Sequence, residues 1–346
     1  MARRADFVIG GVSVAAGTRQ TVDLPVSVLS DHTQVNLSVH VVHGRRPGPT
    51  LFVSAAVHGD EVIGVEIARR LLRSPQLSTV SGTLMVVPIV NTFGFLNHSR
   101  YMPDRRDLNR SFPGGEKGSL AARLANLFIT EVVHRSDLGI DLHSAAIHRT
   151  NMPQIRISPA HEGSLAYAEA FGAPVVIIAK LRDGSLRAAA KARGIDILLY
   201  EAGEGLRFNE QSARVGVAGI LRVMKEMGMI RSRGVTKPRA QPVRVYNSGW
   251  QRAPVGGLLR VFKGTSEYVT EGDLLGVISD PFGIVEIPVL AEMSGIIIGR
   301  TNLPVVNEGD ALFHIAETLS HKPEATIDRL ATQLEADPLF DEDEII

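Results

Sequence analysis

Leu51-Phe52-Val53-Ser54-Ala55-Ala56-Val57 is an apolar, strand-like run that ends in His58-Gly59-Asp60-Glu61. Two other runs end the same way. Asp137-Leu138-Gly139-Ile140-Asp141-Leu142 ends in His143, and Ile195-Asp196-Ile197-Leu198-Leu199-Tyr200 ends in Glu201. Ligands of open α/β sheets sit outside the carboxyl ends of the strands. Three such ends can converge on one crevice. Two His and one Glu make a three-ligand zinc set, and a second Glu is left as a base. That is the minimum for metal-assisted hydrolysis.

Outward from these runs, strands alternate with helical patterns from Thr50 to about Met229. Glu61–Leu72 has helical spacing, with Ile63, Ile67 and Leu71 on one face. Thr83–Val90 reads as a buried strand, Leu120–Val133 as an amphipathic helix, Pro174–Ile178 as a short strand and Ser212–Met227 as a helix. This rhythm predicts an α/β fold, a mostly parallel or mixed sheet with helices on both faces. The first 49 residues read as β-rich: Val35–Val41 alternates as a half-buried strand, and Arg45-Arg46-Pro47-Gly48-Pro49 reads as a turn.

Composition shifts at 231–242, a basic, Pro/Gly-containing stretch that reads as a linker. Residues 243–316 show short strands broken by Gly. Val269-Thr270-Glu271-Gly272-Asp273-Leu274-Leu275 resembles Val306-Asn307-Glu308-Gly309-Asp310-Ala311-Leu312, which suggests a pseudo-repeated small all-β barrel-sandwich. The expected organisation is therefore an α/β hydrolase domain over 1–230, the linker, the small β domain, and a helical, acidic tail over 317–346.

The bulk numbers bound the function. The 346 residues carry 37 basic and 37 acidic side chains, so no net charge draws the chain to nucleic acid or an anionic membrane. With no cysteine, any zinc must be held by nitrogen and oxygen. No apolar run is long enough to span a bilayer, and the N-terminus lacks the apolar core of a signal peptide. A cytoplasmic enzyme acting on a small molecule is the expectation, with a homo-oligomer left open.

His58-x-x-Glu61 alone is a weak signal, because Asp60 and Glu61 would equally suit the first turn of a helix. Its position at a strand end, beside Gly59, favours the metal reading. His143 supplies the third ligand, and Asp141, two residues earlier on the same strand face, suits the outer nitrogen of that ring. A carboxylate at Glu201 ends a buried strand, where it is costly unless paired or functional. It is read as the general base, with Glu204 as the alternative. Asp107-Leu108-Asn109-Arg110 lies in a polar loop with Arg100, Arg105 and Arg106. Arg beside Asn suits a carboxylate, and a second Arg from this loop could polarise a scissile carbonyl.

His58-Gly59-Asp60-Glu61, Asp107-Leu108-Asn109-Arg110, Asp141-Leu142-His143-Ser144 and Glu201-Ala202-Gly203 occur in that order. Together they resemble the succinylglutamate desuccinylase/aspartoacylase family, a branch of the zinc carboxypeptidase fold, over roughly residues 30–316. The resemblance implies one zinc per chain on His58, Glu61 and His143, with Glu201 as base. It implies Asn109 and Arg110 on the substrate α-carboxylate and Arg100 near the carbonyl oxygen, with Arg105 and Arg106 as competing candidates. By position it adds Arg187. The family's tyrosine from the C-terminal domain has two candidates, Tyr246 and Tyr268. The activity implied is removal of an N-acyl group from an amino acid or small amine. A carboxypeptidase on small peptides and a degenerate binding protein are the rivals; the second predicts loss of a ligand or of the base, and all four residues are present.

Overall fold

The computed structural model describes residues 4–159, 162–238 and 240–318. The expected acidic tail lies beyond Thr318, outside the described residues. The organising element is a 13-stranded mixed sheet. Its parallel centre runs Asp196–Gly203, Leu138–His143, Arg46–Ala55 and Ser81–Val87. On one side the antiparallel strands Gln34–His43 and Thr18–Val28 complete the edge. On the other, Arg149–Ile157 pairs antiparallel with Asp196–Gly203.

Alternate residues of each central strand feed opposite layers. Leu51, Val53 and Ala55 pack with Ile63, Ile67 and Leu71 of the helix Ile63–Arg73 and with Val217 and Ile220 of the helix Glu210–Glu226. Phe52 faces the other layer, with Leu124 and Phe128 of the helix Leu120–Glu131. The Phe52 and Phe128 rings meet edge to face, centroids 5.7 Å apart. Helices therefore cover both faces, as the strand–helix alternation requires, and no described helix is long and apolar enough to cross a membrane.

Arg46–Pro49 is not a turn but the first part of the strand Arg46–Ala55. The Pro-Gly-Pro signal survives as irregular register between Arg46 and Thr50. Pro cannot donate to a ladder, and Gly48 lies so close to Ser81-Gly82 that a Cβ would sit 2.8 Å from the Gly82 nitrogen. The first turn of the expected helix at Glu61 is also absent, since that helix begins at Ile63.

The C-terminal segment forms a four-stranded antiparallel sheet of Glu286–Leu290, Leu274–Ser279, Gly257–Val261 and Val305–Val306. Its two repeated segments fold alike. Asp273 Oδ2 accepts from the Thr270 N–H and Asp310 Oδ2 from the Asn307 N–H, each at 2.8 Å. Gly272 and Gly309 take φ of +89° and +83° in these turns, a conformation that suits glycine. The long-range pairing was not legible in the sequence. Ser248–Arg252, Ala311–Glu317 and Gly295–Thr301 continue the large sheet, and Gly295–Thr301 pairs with Arg149–Ile157.

Gly139 marks a tight point of the central layer, because a Cβ there would lie 2.2 Å from Phe52 Cζ. Gly139→Ala should cost about 1–3 kcal/mol, the usual penalty for overpacking. A urea titration reads it directly, and an unchanged midpoint would show that Phe52 can yield.

Candidate metal centre and cleft

His58, Glu61 and His143 meet at the carboxyl ends of adjacent parallel strands, all buried. The chain leaves the strand at Ala55, and the Glu61 N–H donates to the His58 carbonyl at 3.1 Å, closing a turn. Gly59 is required here by close approach, since a Cβ would sit 2.0 Å from the carbonyl carbon of Gly94. The ligand atoms of the three residues lie within 4.8 Å of one another.

Glu61 is held from both sides. Its Oε1 is 2.6 Å from His58 Nδ1 and its Oε2 is 2.7 Å from His143 Nδ1. The Ser144 N–H also donates to Oε2, at 3.1 Å. The outer ring nitrogens face carboxylates: His143 Nε2 is 2.7 Å from Asp141 Oδ2, and His58 Nε2 is 3.2 Å from Asp107 Oδ1. The Ser54 hydroxyl donates to Asp141 Oδ1 at 2.7 Å. Both histidines thus present Nδ1 inward with Nε2 oriented by an acid. Metal-ligating imidazoles are oriented by this kind of outer partner, so the donor set fits a divalent cation.

The charges reinforce the geometry. Burial would lift the Glu61 carboxyl, but His58 and His143 outweigh it and hold it below the usual carboxylate range. Burial likewise opposes a charged His143, yet Asp141 and Glu61 raise it well above the ordinary imidazole value. His58 is raised against its burial by Glu61 and Asp107.

Of the three loop arginines, Arg100 reaches this cluster, with Nη1 donating to Glu61 Oε1 at 3.2 Å and Nη2 to Asp107 Oδ2 at 3.1 Å. Arg105 sits exposed in the turn closed by Met102 and Arg106, at φ +63°, and does not line the cleft. Arg106 pairs with Asp104 instead. The expected substrate contact of Arg105 gains no support from the cleft lining, which includes Arg100 and Arg110 but not Arg105. Asn109 and Arg110 do line the cleft. Asn109 Oδ1 accepts from the Leu186 N–H at 2.9 Å, which leaves its amide nitrogen as the free donor.

Glu201 lies directly beside His143 in the parallel register. Asn151 Nδ2 donates to Glu201 Oε2 at 2.7 Å, and Arg156 Nε is 3.8 Å from Oε1. Glu204 is engaged elsewhere, by the His148 N–H and Asn302 Nδ2, and lies outside the cleft. Arg187 lines the cleft, with its pKa pushed down to about 10 by burial and by Arg156. Neither Tyr246 nor Tyr268 lines it; from the C-terminal strands come Ser248, Trp250 and His314. The whole cleft measures about 460 Å³.

Sequence reading missed Asp107 as the partner of His58, and it missed Asn151, Arg156, Trp250 and His314 altogether. A signal existed for the first two of that group. Arg149–Ile157 is a strand, largely buried, that carries Asn151, Gln154 and Arg156, an expensive pattern unless those groups face a site.

The description of the succinylglutamate desuccinylase/aspartoacylase catalytic domain matches residues 47–227, and the chain belongs to this family. It is 28% identical over 293 residues to an N-alpha-acetyl-L-2,4-diaminobutyric acid deacetylase of Halomonas elongata, covering 80% of this chain and 84% of that one. Over 210 residues it is 29% identical to a succinylglutamate desuccinylase of Pseudomonas aeruginosa, covering 57% and 56%. The crystal structure of a succinylglutamate desuccinylase/aspartoacylase from Rhodobacter sphaeroides superposes with a TM-score of 0.76 at 27% identity, over 87% of this chain and 96% of that one.

The raised imidazole values set a sign for metal uptake. In metal-free protein both rings hold their second proton more tightly than an ordinary imidazole does, and a metal accepts only the neutral ring. Loading should therefore release protons, up to about two per ion, and apparent affinity should rise with pH. Calorimetry in two buffers of different ionisation heat measures the release. A heat independent of buffer would remove these rings from the ligand set.

Proposed function

We propose that this chain is a zinc-dependent amidohydrolase that removes an N-acyl group from an amino acid. The observation that carries the reading is the buried His58–Glu61–His143 cluster with Glu201 beside it across one strand spacing, about 4.8 Å. The family's relatives are named deacetylase and desuccinylase, which supports amide-bond deacylation. His58, Glu61 and His143 would hold the ion, which when bound supplies Lewis-acid polarisation of the carbonyl and activation of the attacking water.

The protein's own groups do the rest. Glu201 accepts a proton from the attacking water and returns it to the departing nitrogen. Asn151 fixes one Glu201 oxygen and so leaves the other as the acceptor. Arg100, already aimed at the Glu61 side of the cleft, offers positive charge where the carbonyl oxygen gains negative charge. The free Nδ2 of Asn109 and the guanidinium of Arg110 would bind the α-carboxylate, and Arg187 adds charge from the helix Leu186–Lys191. In this reading residues 1–230 carry the chemistry, and the β unit over 243–316, beyond the linker, walls the cleft through Ser248, Trp250 and His314.

Elemental analysis of protein purified without chelator should give about one zinc per chain, and His143→Ala should lose most of it. Glu201→Gln should keep the metal and lower turnover on N-acyl amino acids at least about 100-fold, while Glu204→Gln stays active. An active Glu201→Gln beside a dead Glu204→Gln would reverse the choice of base. Amidating the substrate α-carboxylate should lower kcat/KM at least about tenfold, and Arg110→Lys should erase most of that difference, because Lys lacks the fork. Equal turnover of acid and amide would mean that the Asn109–Arg110 pair does not hold a carboxylate.

A further inference from the structure

The Arg45-Arg46 pair opens the strand Arg46–Ala55, and the metal cleft lies off the other end of that strand. Around the pair the chain builds a second cavity, of about 630 Å³. Segments far apart in sequence contribute to it. Arg19 comes from the strand Thr18–Val28, and Arg73 from the last turn of the helix Ile63–Arg73. Arg45 and Arg46 come from the junction of the strands Gln34–His43 and Arg46–Ala55. Among the described residues, no aspartate or glutamate lines this cavity.

None of the four guanidiniums forms an ion pair among the described residues. Arg19 Nη1 makes only a long hydrogen bond to the Leu72 carbonyl, at 3.5 Å, and Arg46 Nη2 one to the Thr79 carbonyl, at 3.4 Å. Arginines elsewhere are better partnered. Arg69 and Arg70, on the same helix as Arg73, pair with Glu66, and Arg70 also with Glu210. In the cleft Arg100 meets Glu61 and Asp107, and the Arg149 guanidinium lies 5.2 Å over the Trp250 ring. With 37 acidic side chains for 37 basic ones, carboxylate partners are plentiful in this chain. The second cavity is lined without them.

Local backbone supports the arrangement. A Cβ at Gly17 would sit 2.6 Å from both Cγ and Nε of Arg45, and Gly17 has φ +85°, so glycine leaves room for the arginine to cross it. Arg4 Nη1 donates to the carbonyls of Gly44, Arg46 and Gly82 at 3.1, 3.3 and 2.7 Å. Those oxygens are engaged and do not oppose an anion, and Arg4 adds its own positive charge beside the cavity. A cation at a helix C-terminus is ordinary and accounts for Arg73. It does not account for Arg45 and Arg46, which belong to no helix. Like charges gathered in a concavity raise the local potential, and a bound anion relieves their repulsion.

We propose that this cavity binds a small ligand carrying two or more phosphate groups. The guanidinium fork matches phosphate oxygens, and four forks exceed what one carboxylate can engage. The arginines converge on a concavity instead of running along a stripe, and the chain carries no net charge. Both features favour a small polyphosphate over a nucleic-acid strand or an anionic membrane. The strand Arg46–Ala55 has 10 residues, which sets about 30 Å between this cavity and the metal ligands. The ligand is therefore not the substrate of the metal centre, and the site stands or falls independently of the deacylase reading.

The test is calorimetry on the full chain with adenosine, AMP and ADP as probes. Affinity should rise along that series, with ADP at least about tenfold tighter than AMP, and should fall with added salt. Arg45→Gln and Arg46→Gln should each weaken ADP binding at least about tenfold, while Arg149→Gln, in the cleft, leaves it unchanged. Zinc-loaded and chelator-treated protein should bind ADP alike. ADP should also raise the melting temperature of the wild type more than that of Arg45→Gln or Arg46→Gln. Binding lost in Arg149→Gln but kept in Arg45→Gln and Arg46→Gln, or binding that requires zinc, would place the anion in the cleft and overturn the site. Equal affinity for adenosine, AMP and ADP would overturn it as well. So would the absence of ADP binding at millimolar concentration, even where single-stranded RNA or phosphatidylserine vesicles are retained by the wild type and released by Arg45→Gln.

Discussion

One buried carboxylate between two imidazoles sets the requirements that the rest of this molecule meets. Glu61 touches His58 on one oxygen and His143 on the other, with almost no access to solvent. A carboxylate so placed is tolerated only if opposite charge surrounds it. The histidines meet that demand, and they in turn require Asp107 and Asp141 behind them. The arrangement therefore extends outward through Ser54 to Asp141 and through Arg100 to Asp107. Each shell is needed because the one inside it is charged and dry.

This chain of requirements also explains which fold can carry it. His143 ends one parallel strand and His58 comes just after the end of its neighbour, so the pairing that builds the sheet also brings the rings together, 5.0 Å between centroids. Glu201 lies near the end of the next parallel strand, Asp196–Gly203, as the register partner of His143. The helical layers, anchored on Val53, Ile67 and Val217 on one face and on Phe52 and Phe128 on the other, keep these strand ends in register. The site thus depends on packing far from any catalytic group.

That dependence decides what a sequence reader could see. Apolar runs ending in His58, His143 and Glu201 were visible, because each belongs to or directly follows one continuous strand whose burial is written in its composition. The Asp141 contact was visible too, since it needs only the two-residue period of a strand. Asp107 was visible as a residue but not as a partner of His58, because the contact crosses 49 positions and depends on how a loop folds back. The same limit hid which of Arg100, Arg105 and Arg106 reaches Glu61; Arg100 does, across 39 positions. Repeated turns at Gly272 and Gly309 were legible as similar strings and proved similar in geometry, with Asp273 and Asp310 accepting equivalent bonds. What the strings did not contain was the antiparallel pairing of Gly295–Thr301 with Arg149–Ile157, a contact between segments more than 140 residues apart.

That pairing has a chemical consequence. Gly299 lies opposite Asn151, and a Cβ at that position would sit 2.4 Å from Asn151 Oδ1. Asn151 is the residue that donates to Glu201. The C-terminal β unit therefore closes tightly on the partner of Glu201, at a position where only glycine leaves the Asn151 amide undisturbed. Its neighbouring strands also deliver Trp250 and His314 to the cleft wall. Rigid pairing to the main sheet is what makes both contributions dependable, since a side chain on a loosely tethered domain could neither fix the Asn151 amide nor hold Arg149 over an indole. The extension of the large sheet into the C-terminal strands thus joins two regions that sequence alone separates, and it places Glu201 at their junction.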